Sequence, residues 1–480
     1  MGSPPLSFVV LDPTPRPAVA ALPTSAFEEL VRFLPSIDTT VVNRVAGPVE
    51  LGDAVAAVAR LFDLTPPTST GFVGTLDEKG SLGDVDPPRA LPEVSRLVAP
   101  PAAQTALRTL RGDASTPHLV IAPTFAKVVE LALPAYRELD RHALEVDASA
   151  LLDVGLRGPR PSFFGWTFVQ RLAIAHLRGL DDSDPNRWLV ELVRDAAARH
   201  EGHDALCSWP TRDAIRSLER GLRLEVLAHV VQSAADADWD AAHDYARRAA
   251  EWVASPGERH ASDAKLLGAM GRAYAAAGSL PEAARALTAS LETFEALRQP
   301  AMATYAVSEL LRVTTDLDPT RALLLATEVA PRIADAADPI GCAFVQLARG
   351  RAFASLDEPH RALEVLAENA ATWDQAPLHA RQARWRWRLV AARALSLPEV
   401  ETWTQQLTDL GPSEHLYLAE LDAALVSGAP ALPALEALLG LPVRGREAHR
   451  LLHRIAPGWT VENVAADDMK LREFARRWRY

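Results

Sequence analysis

Residues 267–291 read LGAMGRAYAAAGSLPEAARALTASL, which is a helix, a glycine turn and a second helix in one stretch. Gly271 in the first helix and Ala283 in the second are small, as residues are where two helices touch. Tyr274 and Leu287 are large and would fill the space beside that contact. Such a hairpin leaves an apolar side uncovered and is stable only when neighbouring hairpins stack on it. The stretch therefore predicts a mainly α-helical solenoid.

The small residue of the second helix returns about every forty residues. The alanines concerned are separated by 41, 39 and 40 positions. Gly350 and Phe353 precede one of them at the same offsets as the glycine and the tyrosine of the first stretch. Matched offsets in separate segments indicate a structural repeat rather than one alanine-rich helix. The alanines are Ala242, Ala283, Ala322 and Ala362.

This pattern resembles the tetratricopeptide repeat (TPR), in which a small residue and an aromatic residue precede a turn glycine and an alanine. Gly350, Phe353 and Ala362 match three of these positions, with Asp357 at the turn. The period of about forty is longer than the usual 34 of the family. The resemblance covers roughly residues 222–439 and implies a right-handed superhelix of helical hairpins. The copy that matches at every position consists of Gly271, Tyr274, Gly278 and Ala283.

The resemblance also implies where a partner would bind. In TPR proteins the first helices line a groove that binds peptides, often through basic side chains that hold a carboxylate. Arg272 and Arg351 occupy equivalent positions, and an arginine can hold a carboxylate with two parallel hydrogen bonds. Alternatively, both are ordinary solvated arginines, and Leu311 interrupts the basic track between them. The groove residues implied in this way are Lys265, Arg272, Phe344 and Arg351.

The first third of the chain, residues 1–160, has a different composition, with twenty of the 36 prolines at or before Pro161. Because proline removes a backbone donor and ends helices, short elements and loops are expected here. Strand and helix patterns alternate, which permits a small α/β or α+β domain, and an irregular helical domain is the alternative. The predicted strands are Ser7–Leu11, Thr40–Val45 and His118–Ala122, and the predicted helices are Ser25–Leu34, Asp53–Leu64 and Thr124–Leu139.

Two local patterns in this region give sharper predictions. Ser25 and Glu28 have the spacing of a capping box at a helix start. The stretch Thr65–Pro92 is rich in glycine and proline and has little periodicity, so it is predicted to be an exposed loop.

Composition and charge restrict the class of protein. The fractions of hydrophobic residues (48%) and charged residues (23%) are those of globular proteins. A net charge of −12 repels phosphate backbones, so general nucleic-acid binding is not expected. Two distant cysteines, Cys207 and Cys342, form no disulfide framework, which favours the cytoplasm. No stretch has the pattern of a membrane span or a secretory signal.

No metal or cofactor site is predicted. The cluster His200, His203, Asp204 and Cys207 has metal-like spacing, but Gly202 weakens the helix, which favours a polar helix end. The pair His449 and His453 lacks the glutamate of a metalloprotease motif and is interpreted as surface histidines.

The most basic run is RQARWRWR at 381–388. Alternating tryptophan and arginine could stack on nucleic-acid bases. On a helix, however, Trp385 and Trp387 diverge by about 200°, so they cannot share one face. The pattern instead predicts that one tryptophan enters the core and that arginines cover the other by cation–π contacts.

These observations divide the chain into a proline-rich domain (1–160), a helical lead-in (161–221), TPR-like repeats (222–440) and capping helices (441–480). The apolar side of the last capping helix is expected to carry Met469, Leu471, Phe474 and Trp478. The predicted function is that of an adaptor or regulatory subunit that recognises a partner protein or peptide, or an acidic segment of one. No catalytic motif was found, which favours a non-enzymatic protein. The alternatives are an enzyme with its site in 1–160, and a sensor of a peptide or small ligand.

Overall fold

The chain divides into two compact units, Met1–Ala205 and Leu206–Tyr480. The computed structural model describes residues 9–10, 20–64, 70–83, 94–100, 103–111, 117–122, 124–141, 146–157, 163–182, 184, 186–200, 206–335, 339–368, 373, 376, 378–411, 413–441, 448–449, 451–452, 455–456, 458 and 460–477.

The first unit contains a four-stranded sheet and two strand pairs. The sheet has the order β1-β5-β7-β8, in which β5, β7 and β8 are parallel and β1 is antiparallel to β5. Strand β2 pairs with β3 in parallel, and β4 pairs with β6 antiparallel. The strands are β1 (Val9–Val10), β2 (Ala21–Pro23), β3 (Asn43–Val45), β4 (Val49–Glu50), β5 (Thr70–Phe72), β6 (Thr75–Leu76), β7 (Arg96–Ala99) and β8 (His118–Ile121).

Helices fill the connections of the first unit, and α3 joins the parallel strands β7 and β8. Short 3-10 helices lie at Thr39–Val41 and Pro134–Arg141, and a π-helical segment lies at Asp153–Arg157. The α-helices are α1 (Thr24–Phe33), α2 (Leu51–Leu61), α3 (Gln104–Arg111), α4 (Phe125–Ala132), α5 (Ala148–Leu152), α6 (Gly165–Gly179) and α7 (Arg187–His200).

An aromatic cluster forms part of the core of this unit. The ring of Phe168 on α6 lies edge-on to Phe33 on α1 at 6.0 Å and is stacked on Tyr136 at 6.1 Å. Arg171 lies over the Tyr136 ring at 5.3 Å and forms an ion pair with Glu130 on α4 at 3.2 Å. The ion pair joins α6 to α4. The buried rings join α6 to α1 and to the 3-10 helix that contains Tyr136, in geometries that aromatic pairs favour.

The expectation of a small α/β domain is confirmed for the first unit. Strands β1, β3 and β8 lie within the predicted strands, and α1, α2 and α4 correspond to the predicted helices. The prediction of a loop over Thr65–Pro92 is wrong at β5 and β6, because backbone pairing with β7 and β4 holds a segment whose side chains show no periodicity. Residues 65–69 and 84–92 of that stretch lie outside the described residues.

The predicted capping box at Ser25 is also wrong. Helix α1 begins at Thr24 after Pro23, and no side chain caps it. The Ser25 hydroxyl donates instead to the Glu78 carboxylate at 2.5 Å, and the backbone N–H of Gly47 donates to the same group at 3.0 Å. Because Glu78 is distant in sequence, a local motif could not reveal this partner.

Glu78 should therefore stabilise the protein in a pH-dependent way. The Ser25 hydroxyl, the Gly47 N–H and the Ser25 N–H donate to its carboxylate and lower the pKa of Glu78 to about 2. Since a free glutamate has a pKa of about 4.3, this contribution is complete above that pH and is lost as the pH falls towards 2. The difference in Tm between the wild type and Glu78→Gln should shrink between about pH 6 and about pH 3 in calorimetry. A constant difference would contradict the assignment.

The second unit consists of helices, which pair in chain order. Short 3-10 helices at Ala250–Trp252 and Pro256–Glu258 precede α11. The helices are α8 (Arg212–Ser217), α9 (Arg220–Ala237), α10 (Trp239–Ala249), α11 (Ala261–Ala276), α12 (Leu280–Ala296), α13 (Pro300–Leu317), α14 (Pro319–Asp335), α15 (Pro339–Ser355), α16 (Pro359–Ala367), α17 (Leu378–Ala394), α18 (Val400–Asp409), α19 (Glu414–Ser427), α20 (Leu432–Leu439), α21 (Val461–Ala465) and α22 (Asp468–Arg477).

Each first helix packs against its own second helix and against the next first helix. The hairpins are α9/α10, α11/α12, α13/α14, α15/α16, α17/α18 and α19/α20, and α9, α11, α13, α15, α17 and α19 contact one another in series. Side-by-side hairpins of this kind confirm the TPR-like helical repeat expected from the sequence. We call the surface along these first helices the first-helix face.

Close helix contact in the hairpins depends on glycine. A Cβ atom at Gly271 would lie 2.5 Å from Cγ of Leu287, and one at Gly350 would lie 2.5 Å from Cγ of Leu366. Ala283 is fully buried at the same crossing of α11 and α12. A residue with a side chain at either glycine position would hold the two helices apart.

The turns of the α11/α12 and α15/α16 hairpins share one backbone conformation. Gly278 has a φ of +81°, and Asp357, which replaces the turn glycine, has a φ of +60°. In both turns a backbone N–H returns to a carbonyl five residues earlier, from Ser279 to Tyr274 and from Glu358 to Phe353. Aspartate tolerates this left-handed conformation better than most residues. The turn is therefore kept although Asp357 stands where the TPR pattern has glycine.

The last helix, α22, covers the end of the array. Leu471 and Phe474 are fully buried, as expected for its apolar side. The expectation is wrong for Met469, which is 77% exposed. Met469 lies two positions before Leu471, and residues two positions apart on a helix point about 200° away from each other. Trp478 lies outside the described residues.

Candidate partner-binding site

A series of side-chain contacts crosses the first-helix face from one helix to the next. We call this series the polar ladder. It links every neighbouring pair of first helices from α9 to α19. Its contacts are Arg220–Asp263, Glu225–Lys265 and Asp236–Arg272 between α9 and α11, Arg272–Tyr305 between α11 and α13, Asp316–Arg351 between α13 and α15, Arg351–Trp387 between α15 and α17, and Arg386–Asp422 between α17 and α19.

The two predicted groove cations on α11 both belong to the ladder. Lys265 forms an ion pair with Glu225 at 2.9 Å. Arg272 donates to the Tyr305 hydroxyl at 2.7 Å and lies 3.9 Å from Asp236. Desolvation opposes the charge of Arg272, but Tyr305 and nearby carboxylates outweigh it and raise the pKa of Arg272. Both cations are therefore held in place by groups of this chain.

The predicted groove residues on α15 are more enclosed. Arg351 has only 5% of its side chain exposed, forms an ion pair with Asp316 and lies 5.8 Å from the Trp387 ring. Phe344 is partly buried against the apolar cluster that contains Trp373. Arg272 and Arg351 do not lie on adjacent helices, because α13 separates α11 from α15.

The tryptophans of the basic run on α17 separate as the helical geometry predicts. Trp387 is 8% exposed and belongs to an apolar cluster. Trp385 lies between the guanidinium groups of Arg384 at 5.6 Å and Arg388 at 4.5 Å. Arg388 also covers Trp403 on α18 at 4.0 Å. The run therefore serves packing between α17 and its neighbours.

A cavity of about 300 Å³ opens where α15, α17, α19 and α22 meet, and we call it the arginine pocket. Arg386 is 2% exposed, and its Nε donates to Asp422 at 3.3 Å and its Nη2 to the Ala475 carbonyl at 3.3 Å. Arg393 donates to the Ala419 carbonyl at 2.7 Å, and Arg472 donates to the Leu425 carbonyl at 3.1 Å. The walls are Ala354, Ser355, Arg386, Trp387, Val390, Arg393, Asp422, Leu425, Val426, Arg472 and Ala475.

Sequence reasoning missed this pocket. Arg386 and Arg393 are seven positions apart, which places them on one side of α17. This spacing is the feature of the sequence that could have indicated the pocket. Asp422 and Arg472 belong to α19 and α22, so only the packing of the helices brings them to Arg386.

A second cavity, of about 500 Å³, lies among α12, α13 and α14. Leu291, Val307 and Ile333 give it an apolar wall. An ion pair between Arg332 and Glu295 stands at its edge at 2.5 Å. Arg298 also lines this cavity, so its described walls carry two cations and one carboxylate.

Within the described part of the chain, no group of three or more histidine, cysteine, aspartate or glutamate side chains could hold a metal ion. The cluster around His203 and Asp204, and the partner histidine at His453, lie outside the described residues. None of the helices described here is both long enough and apolar enough to cross a membrane.

The second unit is a TPR-like helical-repeat domain, as its stacked hairpins establish. Neither the family models nor the curated proteins give a match to the sequence. Among solved structures, the chain is similar to the crystal structure of NprR in complex with its cognate peptide NprX. The TM-score is 0.40 and the identity 13%, over 68% of this chain and 98% of that chain. A similarity at this level assigns no function.

Proposed function

We propose that the chain binds a protein or peptide partner on the first-helix face and acts as a regulatory or adaptor subunit. The polar ladder is the observation that supports this proposal. It holds charged side chains in fixed positions from one first helix to the next, and Lys265 and Arg272 on α11 are partly exposed cations of this ladder. A surface whose donors and acceptors are already ordered loses less entropy when a partner chain binds to it.

The composition of the ladder supports a recognition role over a purely stabilising one. Ion pairs that are partly buried, such as Arg351–Asp316, gain little net stability because removing the charges from water is costly. Apolar side chains would join the same helices at lower cost. We infer that the polar groups are retained for the specificity of an interaction.

The nature of the partner is the finer part of the proposal. Lys265, Arg272 and Arg351 already face acidic or phenolic groups of this chain, so an acidic segment would have to compete with Glu225, Asp236 or Asp316. A partner that offers both donors and acceptors fits this part of the face better than a purely acidic one. The cytoplasmic location predicted from the sequence belongs to the same proposal.

Substitution on α11 tests the proposal directly. Lys265→Gln combined with Arg272→Gln should weaken partner binding by about tenfold or more, because it removes two ordered cations from the face. Arg351 is less suitable, since its side chain is 5% exposed and its loss would disturb packing. The partner is first captured from native lysate and identified by mass spectrometry, and its affinity for each variant is then measured by calorimetry.

Arg285→Gln is the matched control. Arg285 lies on the second helix α12, is 76% exposed and forms an ion pair with Glu282 of its own helix. The control should bind the partner like the wild type. Equal affinity of the double variant and the wild type would place the contact elsewhere and refute the assignment of this face.

A further inference from the structure

The cavity of about 500 Å³ among α12, α13 and α14 lies away from the first-helix face, and we call it the second-helix cavity. Helix α13 contributes one stripe to it, formed by Pro300, Ala303 and Val307. Tyr305, which makes the ladder contact with Arg272, is two positions from Ala303 and points about 200° away from it. A ligand in this cavity would therefore not occupy the surface proposed for the partner.

The walls of the second-helix cavity are mainly apolar. Leu291 on α12, Val307 on α13, and Val329 and Ile333 on α14 line it, and each is at most 6% exposed. Ala303 is more accessible, with intermediate exposure. The volume lies in the range of small-molecule pockets, which are lined mostly by apolar side chains and a few polar groups. The cavity thus suits an alkyl or aromatic group.

A proline lies beside this cavity. Pro331 is inside α14, between the wall residues Val329 and Ile333. Proline has no backbone N–H and its ring collides with the preceding turn, so the regular hydrogen bonding of α14 is interrupted here. Close helix packing is hardest to maintain at such a break, which is consistent with an open space at this point.

The polar edge of the cavity contains a cation that the described part of the chain does not neutralise. Arg332 is paired twice, with Glu295 at 2.5 Å and with Glu328 at 2.8 Å. The exposed guanidinium of Arg298 has neither an ion pair nor a hydrogen bond to any described residue. Helix α13 begins beside it without a side-chain cap, which adds partial positive charge. An anionic group could therefore reach Arg298 without displacing a described acceptor.

The backbone of Arg298 gives separate support for a role of its side chain. Its φ is +54°, in the left-handed region. Its N–H donates to the Glu295 carbonyl and the N–H of Gln299 to the Phe294 carbonyl, which closes α12 in a turn where glycine is usual. Glycine adopts this conformation without steric cost, and arginine does not. Backbone strain of this kind is concentrated at ligand sites, where a particular side chain is needed.

We propose that the second-helix cavity binds a small-molecule carboxylate with an aliphatic or aromatic tail, and that Arg298 holds the carboxylate. The tail would cover the apolar walls, and a guanidinium can hold a carboxylate with two parallel hydrogen bonds. Because three helices enclose the space, it suits a whole small molecule better than an extended peptide. This inference goes beyond the proposed function and does not depend on it.

The test uses the full chain and four probes in ligand-observed NMR titrations. The probes are octanoate, the neutral octanamide, acetate, and acetyl-leucyl-glutamyl-leucine amide, which offers a carboxylate and apolar groups on a peptide. We expect octanoate to bind at least about fivefold more tightly than octanamide, because the amide lacks the charge-assisted hydrogen bonds. Acetate should bind at least about a hundredfold more weakly than octanoate, because it has lost the tail.

Arg298→Gly separates the role of the side chain from that of the fold. The variant should reduce octanoate affinity by about fivefold or more, leave octanamide affinity unchanged, and not lower the Tm, since glycine suits the turn. Ser396→Gly is the matched control. Ser396 also has a φ of +54° and the same pair of backbone hydrogen bonds, but it is not among the residues that line the cavity. The control should bind octanoate like the wild type.

Two further variants locate the tail. Ala303→Leu fills part of the cavity and should weaken octanoate and octanamide alike, by about tenfold or more. Lys265→Gln combined with Arg272→Gln alters the first-helix face and should leave octanoate binding unchanged. Circular dichroism establishes that each variant is folded, and the comparison of octanoate with octanamide on the wild type requires no variant.

Several results would overturn the assignment. These are no binding of octanoate, equal binding of octanoate and octanamide, and unchanged octanoate affinity in Arg298→Gly or in folded Ala303→Leu. Tighter binding of the peptide than of octanoate would also reject it and assign the cavity to a peptide. Loss of partner binding in the α11 double variant, with octanoate binding intact, would show that the two sites are separate.

Discussion

Leu287→Ala is expected to destabilise the second unit by about 2–5 kcal/mol, the range for a large-to-small change in a packed core. Leu287 is 1% exposed on α12 and fills the space above Gly271 on α11. Its removal leaves a cavity in the contact between two helices, and the stack transmits this loss to the neighbouring hairpins. The midpoint of urea unfolding, followed by circular dichroism, measures the change.

A double-mutant cycle with Gly271→Ala shows whether this steric contact is the cause. Alone, Gly271→Ala should cost about 1–3 kcal/mol by overpacking, offset by about 1 kcal/mol from better helix propensity. In the background of Leu287→Ala the added methyl group has room. The stability lost in the double variant should therefore differ from the sum of the two single losses by about 0.5–3 kcal/mol. Leu324→Ala, at a site that is 69% exposed on α14, serves as control and should change stability by less than about 0.5 kcal/mol. Strict additivity would contradict the contact.

Asp422→Ala should have an effect of similar size, about 3–5 kcal/mol, at the other end of the array. The substitution leaves the guanidinium of Arg386, which is 2% exposed, without its carboxylate. A buried charge without its partner is far more costly than the loss of a surface pair. Glu282→Ala, which breaks the exposed pair with Arg285, should cost at most about 1 kcal/mol under the same denaturation conditions.

Removing both charges separates this effect from simple loss of contacts. Arg386→Met combined with Asp422→Leu replaces the pair by apolar groups and should recover most of the stability lost in Asp422→Ala. If the double variant is as unstable as Asp422→Ala, the loss comes from packing and not from the unpaired charge. Thermal unfolding of the wild type, Asp422→Ala and the double variant in parallel distinguishes these outcomes.

The repeat architecture was accessible from the sequence because local chemistry encodes it. Gly271 and Ala283 are small for a reason that acts between adjacent helices, and the pattern returns at an almost constant interval. The turn was partly accessible, since Gly278 indicates a left-handed residue, whereas the left-handed conformation of Asp357 is seen only in the folded structure. The separation of Trp385 and Trp387 followed from helix geometry alone.

The candidate site was much less accessible. Lys265 and Arg272 could be placed on one helix, but their partners Glu225 and Tyr305 come from the helices before and after it. The sequence predicts that the Ser25 hydroxyl caps its own helix, but in the structure this hydroxyl donates to Glu78, which is more than fifty residues away.

The sequence by itself determined that the second half of the chain folds as stacked helical hairpins, since periodicity and residue size act over a few turns of helix. The tertiary structure alone decided which charges meet. Arg386 and Arg393 on α17 gain Asp422 from α19 and Arg472 from α22 only when the hairpins lie side by side. Hydrogen bonds and ion pairs act over a few ångströms in space, and no interval along the chain specifies that distance.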